Sequence, residues 1–503
     1  MKQGSIILLL LCIGTVTAYS QPVVTPRNMA LGGGGSTYIT DYNSNFFNPA
    51  NLMIQDREGT FSFGIGAGSF KLDAVQNYTS LTGQLDNAIN YISVFEAGDA
   101  NISSFARTQL LENNYPGNSS LSDHRTRYDA TLLGMKWMRD NHTLSFAIRS
   151  RTSSNYRVGK GWYSSTFEEN SDEELILDRS IVHRHQRLHE ISFGYAESFQ
   201  FLTGLTPRLD NFIIGIAPKL VLGGGYLNAE WKNTYLQLSP GVANRIESFS
   251  YDATGEFGAS TIAYMNGIRS ETANTQSFTN DIFTIDGVGA GLDIGVTYLL
   301  TLGSDLSAVR PDQQPTQRSL RLSFSMTDIG LISYNNSEIS MSLPSDTTTT
   351  SNIPNNLSNE AFIGAKGQYI DFIEKYGEDN PFQKVSSDLS SFSTLLPMAL
   401  HGGALLEINR IKIMGDISIG LTNNAFNSTK LISSVGMEIR PLQFMPLRGG
   451  IQFKAQRPDV LSVGTAIETK HWDFSVAAQF TPNSLISQPA ITGISVATLQ
   501  FHF

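Results

Sequence analysis

The sequence predicts an all-β fold, a transmembrane outer-membrane β-barrel of about 14 antiparallel strands with an N-terminal hatch. Three observations carry this expectation: an amphipathic closing strand, a secretory leader, and connections that alternate between long and short. In the closing strand ISVATLQFHF, Ser495, Ala497, Leu499, Phe501 and Phe503 are expected on one face, with Thr498, Gln500 and His502 on the other. A period of two with an apolar outer face is the pattern of a lipid-facing strand. A terminal aromatic after alternating apolar residues also resembles the signal read by the barrel-assembly machinery, which makes that machinery and outer-membrane lipid the expected partners.

The leader comes first in the chain. Lys2 supplies a positive charge, Ser5 to Ile13 forms a short apolar core, and Ala18-Tyr19-Ser20 before Gln21 offers a small-residue cleavage site. Residues 1–20 are therefore expected to be a signal peptide, 21–58 a hatch segment and 59–503 the barrel. The apolar core is too short to span a bilayer as a helix, which takes roughly 20 apolar residues, so strands must do the crossing. The one cysteine, Cys12, lies in this leader. Leu11 stands where a lipoprotein acceptor site needs Gly or Ala, so Cys12 reads as an ordinary apolar-core residue. The remainder of the chain has no disulfide or thiol chemistry.

Composition agrees. The chain has 503 residues, 44 of them Gly, with 41% hydrophobic and 16% charged residues, which is less charge than the roughly 25% of a typical soluble domain. No linker divides it into the three or so domains that its length would otherwise suggest. The net charge of −10 and the lack of a basic run argue against nucleic acid as a partner.

Strands are expected near 59–70, 126–138, 142–151, 189–200, 211–222, 287–300, 318–328, 398–409, 411–421, 431–440, 447–455, 460–468, 471–480 and 491–503. Long connections, 71–125, 152–188, 223–286 and 329–397, all follow odd-numbered strands and are expected to be extracellular. Tight turns such as Arg139-Asp140-Asn141, Arg410, 441–446 and Thr469-Lys470 follow even-numbered ones and are expected to face the periplasm. The connection 301–317 is the exception. Leu144, Phe146 and Ile148 alternate with Thr143, Ser145, Ala147 and Arg149, and Leu320, Leu322 and Phe324 with Arg321, Ser323 and Ser325. In the thirteenth strand Trp472, Phe474 and Val476 alternate with Asp473, Ser475 and Ala477. Within the long connections, 74–111 and 359–376 have helix-like apolar spacing, and 346–356 reads as a loop tip.

Ahead of the first strand stands RNMALGGGGSTYITDYNSNFFNPANLM. Gly32, Gly33, Gly34 and Gly35 can adopt positive φ and pack closely, Pro49 stiffens a turn, and Phe46, Phe47, Leu52 and Met53 form an apolar cluster suited to a lumen plug. Glycine rows are expected to leave room for it inside the barrel: Gly64, Gly66 and Gly68 on the first strand, and Gly287, Gly289, Gly291 and Gly295 on the sixth. Arg27, the glycine run and Asn48-Pro49-Ala50 followed by Leu52 resemble the N-terminal signature of the FadL-like superfamily. That superfamily includes long-chain fatty-acid transporters and PorV-type proteins of type IX secretion. The usual Gly after Asn-Pro-Ala is Asn51 here. GVGAGLDIGVTYLL, RLSFSMTDIGLISY and LPMALHGGALLEI further resemble a Bacteroidota branch of the superfamily. The resemblance implies a barrel of 14 strands whose hatch comprises Arg27, Gly32 to Gly35, Asn48, Pro49 and Ala50. It also implies passive uptake of a hydrophobic small molecule captured by apolar loop residues, or, as the alternative, a PorV-like role in holding a secreted protein.

Charges of both signs are expected to point inward: Arg149, Arg151, Arg321, Lys412, Asp416, Glu438, Arg440, Glu468 and Asp473. They can pair, line a water path, or bind a carboxylate head group. His183, His185 and His189 lack an acidic or fourth donor at ligand spacing, so no metal site is assigned. No nucleophile elbow or metalloprotease helix occurs, and neither a cofactor nor enzymatic activity is expected.

Overall fold

The computed structural model describes residues 25–55, 59–74, 108, 111, 115, 121–139, 141–170, 172–199, 210–267, 284–301, 318–355, 369–370, 373, 380–385, 392–427, 429–454, 459–481 and 490–503. The expected signal peptide and most of the helix-like stretches 74–111 and 359–376 lie outside them. In chain order the strands are β1 (Phe61–Ala74), β2 (Leu121–Met138), β3 (His142–Gly159), β4 (Glu168–Glu169), β5 (Leu175–Asp178), β6 (Ile181–Phe199), β7 (Asp210–Ser239), β8 (Val242–Ala253), β9 (Gly287–Thr301) and β10 (Arg318–Tyr334). They continue with β11 (Ile339–Thr350), β12 (Phe392–Leu395), β13 (Ala399–Ile408), β14 (Ile411–Gly420), β15 (Ile432–Leu442), β16 (Met445–Lys454), β17 (Val460–Glu468), β18 (Trp472–Thr481) and β19 (Ala490–His502).

Antiparallel pairing runs β1–β2–β3–β6–β7–β9–β10–β13 and on through β19 back to β1, closing a barrel of 14 strands. Each is one of the strands read from the sequence. Closure satisfies every wall ladder without a free edge, the condition for crossing lipid with strands. Among the described residues, no helix is long and apolar enough to cross a membrane. The outer face carries the alternating side chains expected of a lipid-facing wall, among them Leu144, Phe193, Ile216, Leu322, Phe324, Val435, Ile451 and Val463, all exposed.

Strand parity changes in β10, where the ladder to β9 shifts between Met326 and Ile329 and Thr327 and Asp328 are both buried, and again at the closing seam. Gly66 has φ +70° and is skipped in both of its ladders, where Ile65 and Ala67 pair with Leu499 and Ala497 on one side and with Leu133 and Thr131 on the other. Past it the faces exchange: Gly64 points inward, whereas a β-carbon on Gly68 would meet nothing within 4 Å. On β19 the register against β18 shifts between Asp473 and Ser475, so Ile494 and Val496 are exposed and Ser495 is buried. The expected common face of Ser495, Ala497 and Phe503 is therefore broken. An added residue resets the period of two.

At the seam the Phe503 amide donates to the Phe61 carbonyl (2.8 Å), and the Phe503 carbonyl accepts from Thr60 (2.9 Å) and Phe61 (3.1 Å). Deleting Phe503 removes these bonds together with an apolar side chain on the outer face. The expected result is a lower yield of heat-modifiable barrel on gels, and a normal yield would contradict this role.

The long connections hold more strand than their sequence indicates. At 30 residues, β7 is far longer than the 9–11 residues that cross a bilayer. Its outer half pairs with β5 and β8, and β8 pairs with β11. Residues 346–350, read as a loop tip, are thus part of β11. Tyr156, Trp162, Trp231, Phe249, Tyr251, Phe257, Tyr369 and Phe382 pack into one aromatic cluster here. These loop aromatics form the core of an annex outside the barrel, where the sequence reading expected a capture surface.

Candidate functional site

Residues 25–55 enter the barrel and fill its short-turn half. A one-turn helix, Pro26–Ala30, starts at Thr25 and Asn28, whose side chains cap each other's backbone. Gly32 (φ +81°) and Gly33 (φ +85°) end it in the left-handed region. Two 3-10 turns follow, Tyr42–Phe46 capped by Asp41 and Pro49–Met53 capped by Asn48. The capping Asn48 also holds the wall, donating from Nδ2 to Thr297 Oγ1 (3.0 Å) and to the Ser36 carbonyl (3.1 Å).

Wall glycines make the seat. A β-carbon at Gly64 or Gly134 would collide with Tyr42, at Gly194 with Asn45, at Gly295 with Asn48, and at Gly436 or Gly450 with Leu31. At Gly215 it would strike the backbone of Pro49 and Ala50. Gly295 therefore serves the purpose expected of the sixth-strand row, while Gly291 faces Lys219 and Leu396, and Gly287 faces Tyr334. On the first strand Gly64 meets the inner segment, whereas a β-carbon on Gly68 would face open space.

The inward charges form paired layers. Arg149 and Arg151 bind Glu190 (2.6 and 2.8 Å), and Arg151 also binds Asp328 (2.8 and 3.0 Å). Lys219 binds Asp293 (2.8 Å) and Asp328. Three cations thus face three anions, all buried, on top of the inner segment, where Arg149 covers the Phe46 ring at 4.0 Å. Above them Leu188, Val221, Tyr226, Ile332, Tyr334, Leu396 and Phe426 form an apolar layer. Inner segment, charge layer and apolar layer follow one another along β7, β9 and β10.

The other inward charges lie nearer the short turns. Arg321 pairs with Glu407 (3.0 Å), as does Lys412 (3.5 Å). Glu438 accepts from Arg448 (2.8 Å), Arg440 (2.8 Å) and the Tyr38 hydroxyl, and Glu468 accepts from Arg440 (2.7 Å) and Arg448 (2.5 Å). Asp416 accepts from the Ser36 amide (2.9 Å) and hydroxyl. Asp473 joins Arg27 (2.9 Å) and His502 (3.0 Å). Glu190, Lys219, Glu407 and Arg448 were not singled out from the sequence although inward parity could have marked them, whereas parity would place Asp328 outward and only the register shift between Met326 and Ile329 turns it inward. Among the described residues no group of three or more His, Cys, Asp or Glu is placed to hold a metal ion; His183 meets Ser154 Oγ (3.3 Å) and lies edge-on to Phe257.

A cavity lies against the wall at Gly66. Ile65 and Leu499 of the outer face and Arg27, Asp41 and Asp473 of the interior line the same space. A second cavity at the short-turn mouth is lined by Arg27, Asp41, Gln55, Lys136, Gln500 and His502. Lys136 donates there to the carbonyls of Thr40 (2.7 Å) and Ile54 (3.0 Å).

Several solved structures are similar to this chain. The TodX deltaS2S3 mutant monoaromatic hydrocarbon channel is 11% identical with a TM-score of 0.43, the match covering 96% of this chain and 99% of that one. The Ralstonia pickettii toluene transporter TbuX is 12% identical with a TM-score of 0.42, at 96% and 99% coverage. A Pseudomonas aeruginosa FadL homologue is 10% identical with a TM-score of 0.38, at 96% and 97% coverage. No curated protein matches the sequence. Residues 60–478, from the strand at the seam to the penultimate strand, match a family described as "Family of unknown function (DUF5723)", and the chain belongs to that family.

Proposed function

We propose that this barrel lies in the Gram-negative outer membrane and passes hydrophobic small molecules passively, with residues 25–55 as its hatch and the short turns in the periplasm. The observation that carries this reading is the wall cavity at Gly66, where lipid-facing Ile65 and Leu499 border the same space as lumen residues. An apolar molecule has little reason to travel along the axis, because the six-charge layer offers it no apolar contact and opening that layer would separate buried ion pairs. A route through the wall beside Gly66 would avoid this layer. The FadL-like signature at Arg27, Gly32 to Gly35 and Asn48-Pro49-Ala50 implies the same class of cargo. No energy source is invoked.

Uptake of a fluorescent fatty acid by cells producing the protein tests the reading. Uptake should exceed that of cells without it, and should fall to that background in Ala67→Phe, which fills the wall cavity. Equal uptake with and without the protein would overturn the proposal. A PorV-like protein-interaction role is the second reading, favoured by the annex of β4, β5, β8 and β11. Co-purification of a specific secreted protein, abolished by removing β8, would support it.

A further inference from the structure

The two cavities share three lining residues. Arg27, Asp41 and Gln500 line both the wall cavity and the mouth cavity. Arg27 alone among the three is long and cationic, and it ties the inner segment to the wall. One guanidinium nitrogen lies 3.4 Å from Asp41, which caps the Tyr42–Phe46 turn, and the other 2.9 Å from Asp473 of β18. The cavities hold about 30 Å³ and 40 Å³, space for a few waters and for no larger guest while they stay separate.

We propose that Arg27 is the gate between them, and that its release from Asp41 joins the lipid-facing wall to the short-turn mouth in one passage. The bond to Asp41 is the longer of the two, so the guanidinium has an alternative anchor in Asp473 when it swings away. The passage has apolar walls at Ile65 and Leu499 and polar ones at Lys136, Gln500 and His502. It therefore suits an amphiphile that leaves its chain in lipid and turns its head to the periplasm. This rests on the transport reading for its cargo, while the gate itself is tested without cargo.

Ser475 lines the wall cavity, and Ser475→Cys in a Cys12→Ser background places a single thiol there. In proteoliposomes that thiol should react with membrane-permeant N-ethylmaleimide. It should react only slowly with a sulfonated, membrane-impermeant maleimide supplied at the short-turn mouth. Arg27→Ala should speed the second reaction about tenfold or more, as expected when an open state of ~10% or less becomes the main one. Arg27→Lys should stay slow. If Arg27→Ala fails to yield heat-modifiable barrel, Asp41→Asn releases the guanidinium from the other side and should show the same acceleration. An unchanged rate in whichever folded variant is read would overturn the gate. Failure of fatty-acid uptake with an accelerated thiol would instead sink the cargo and leave the gate standing.

Discussion

Gly215→Val should abolish the assembled barrel, because its β-carbon would overlap the backbone of Pro49 and Ala50. Backbone cannot rotate out of the way as a side chain can. Overpacking a tight site usually costs about 1–3 kcal/mol, and a side chain driven into backbone belongs at or beyond the upper end of that range. The control is Gly68→Val, where a β-carbon meets nothing within 4 Å; that variant should assemble like the parent. Heat-modifiability on gels and protease resistance of outer-membrane fractions would measure both. Equal yields of the two variants would mean that residues 25–55 are not seated against β7.

The second large effect belongs to the charge layer. Arg151→Leu leaves Glu190 and Asp328, both buried, with one cation fewer between them. Breaking a buried pair from one side costs about 3–5 kcal/mol, so the midpoint of thermal or urea unfolding should fall clearly. Neutralising the opposite side as well should recover part of the loss. Asp328 has φ +60°, a conformation that asparagine tolerates, so Arg151→Leu with Asp328→Asn is the compensating pair. A double variant no more stable than Arg151→Leu alone would show that the layer acts through packing instead of charge balance.

Much of the wall was legible because lipid imposes a simple rule on each strand. Leu144, Phe146 and Ile148 against Ser145, Ala147 and Arg149 need only a period of two to be placed. The rule fails at Gly66, in β19 near Asp473 and in β10 at Asp328, where the phase shifts and nothing in the neighbouring side chains announces it. It also fails in the annex. Tyr156, Trp231 and Tyr251 are covered by other parts of the chain, so their strands do not show apolar-out, polar-in alternation, and Thr347 to Thr350 look like a loop when read alone. The inward direction of Arg149, Arg321, Glu438 and Asp473 was readable, but their partners were not. Arg151 meets Asp328 and Arg27 meets Asp473 across a closed sheet, and which strand faces which around the ring depends on pairings far apart in sequence.

The same limit applied to the inner segment. Its glycines, Pro49 and apolar cluster pointed to a lumen plug, and Gly64 and Gly295 do accommodate it. The rest of the seat, from Gly134 to Gly450, consists of isolated glycines on separate strands. No row marks them in the sequence; only the closed barrel brings them to one surface.

In the proposed transport the wall admits an apolar guest at Gly66. A density map of the protein purified in its native lipid measures that directly. Elongated density is expected on the outer face beside the paired Ile65 and Leu499, reaching inward past Gly66 toward Arg27. Lipid density confined to the outside of Ile65 and Leu499, with none reaching past Gly66 toward Arg27, would contradict it.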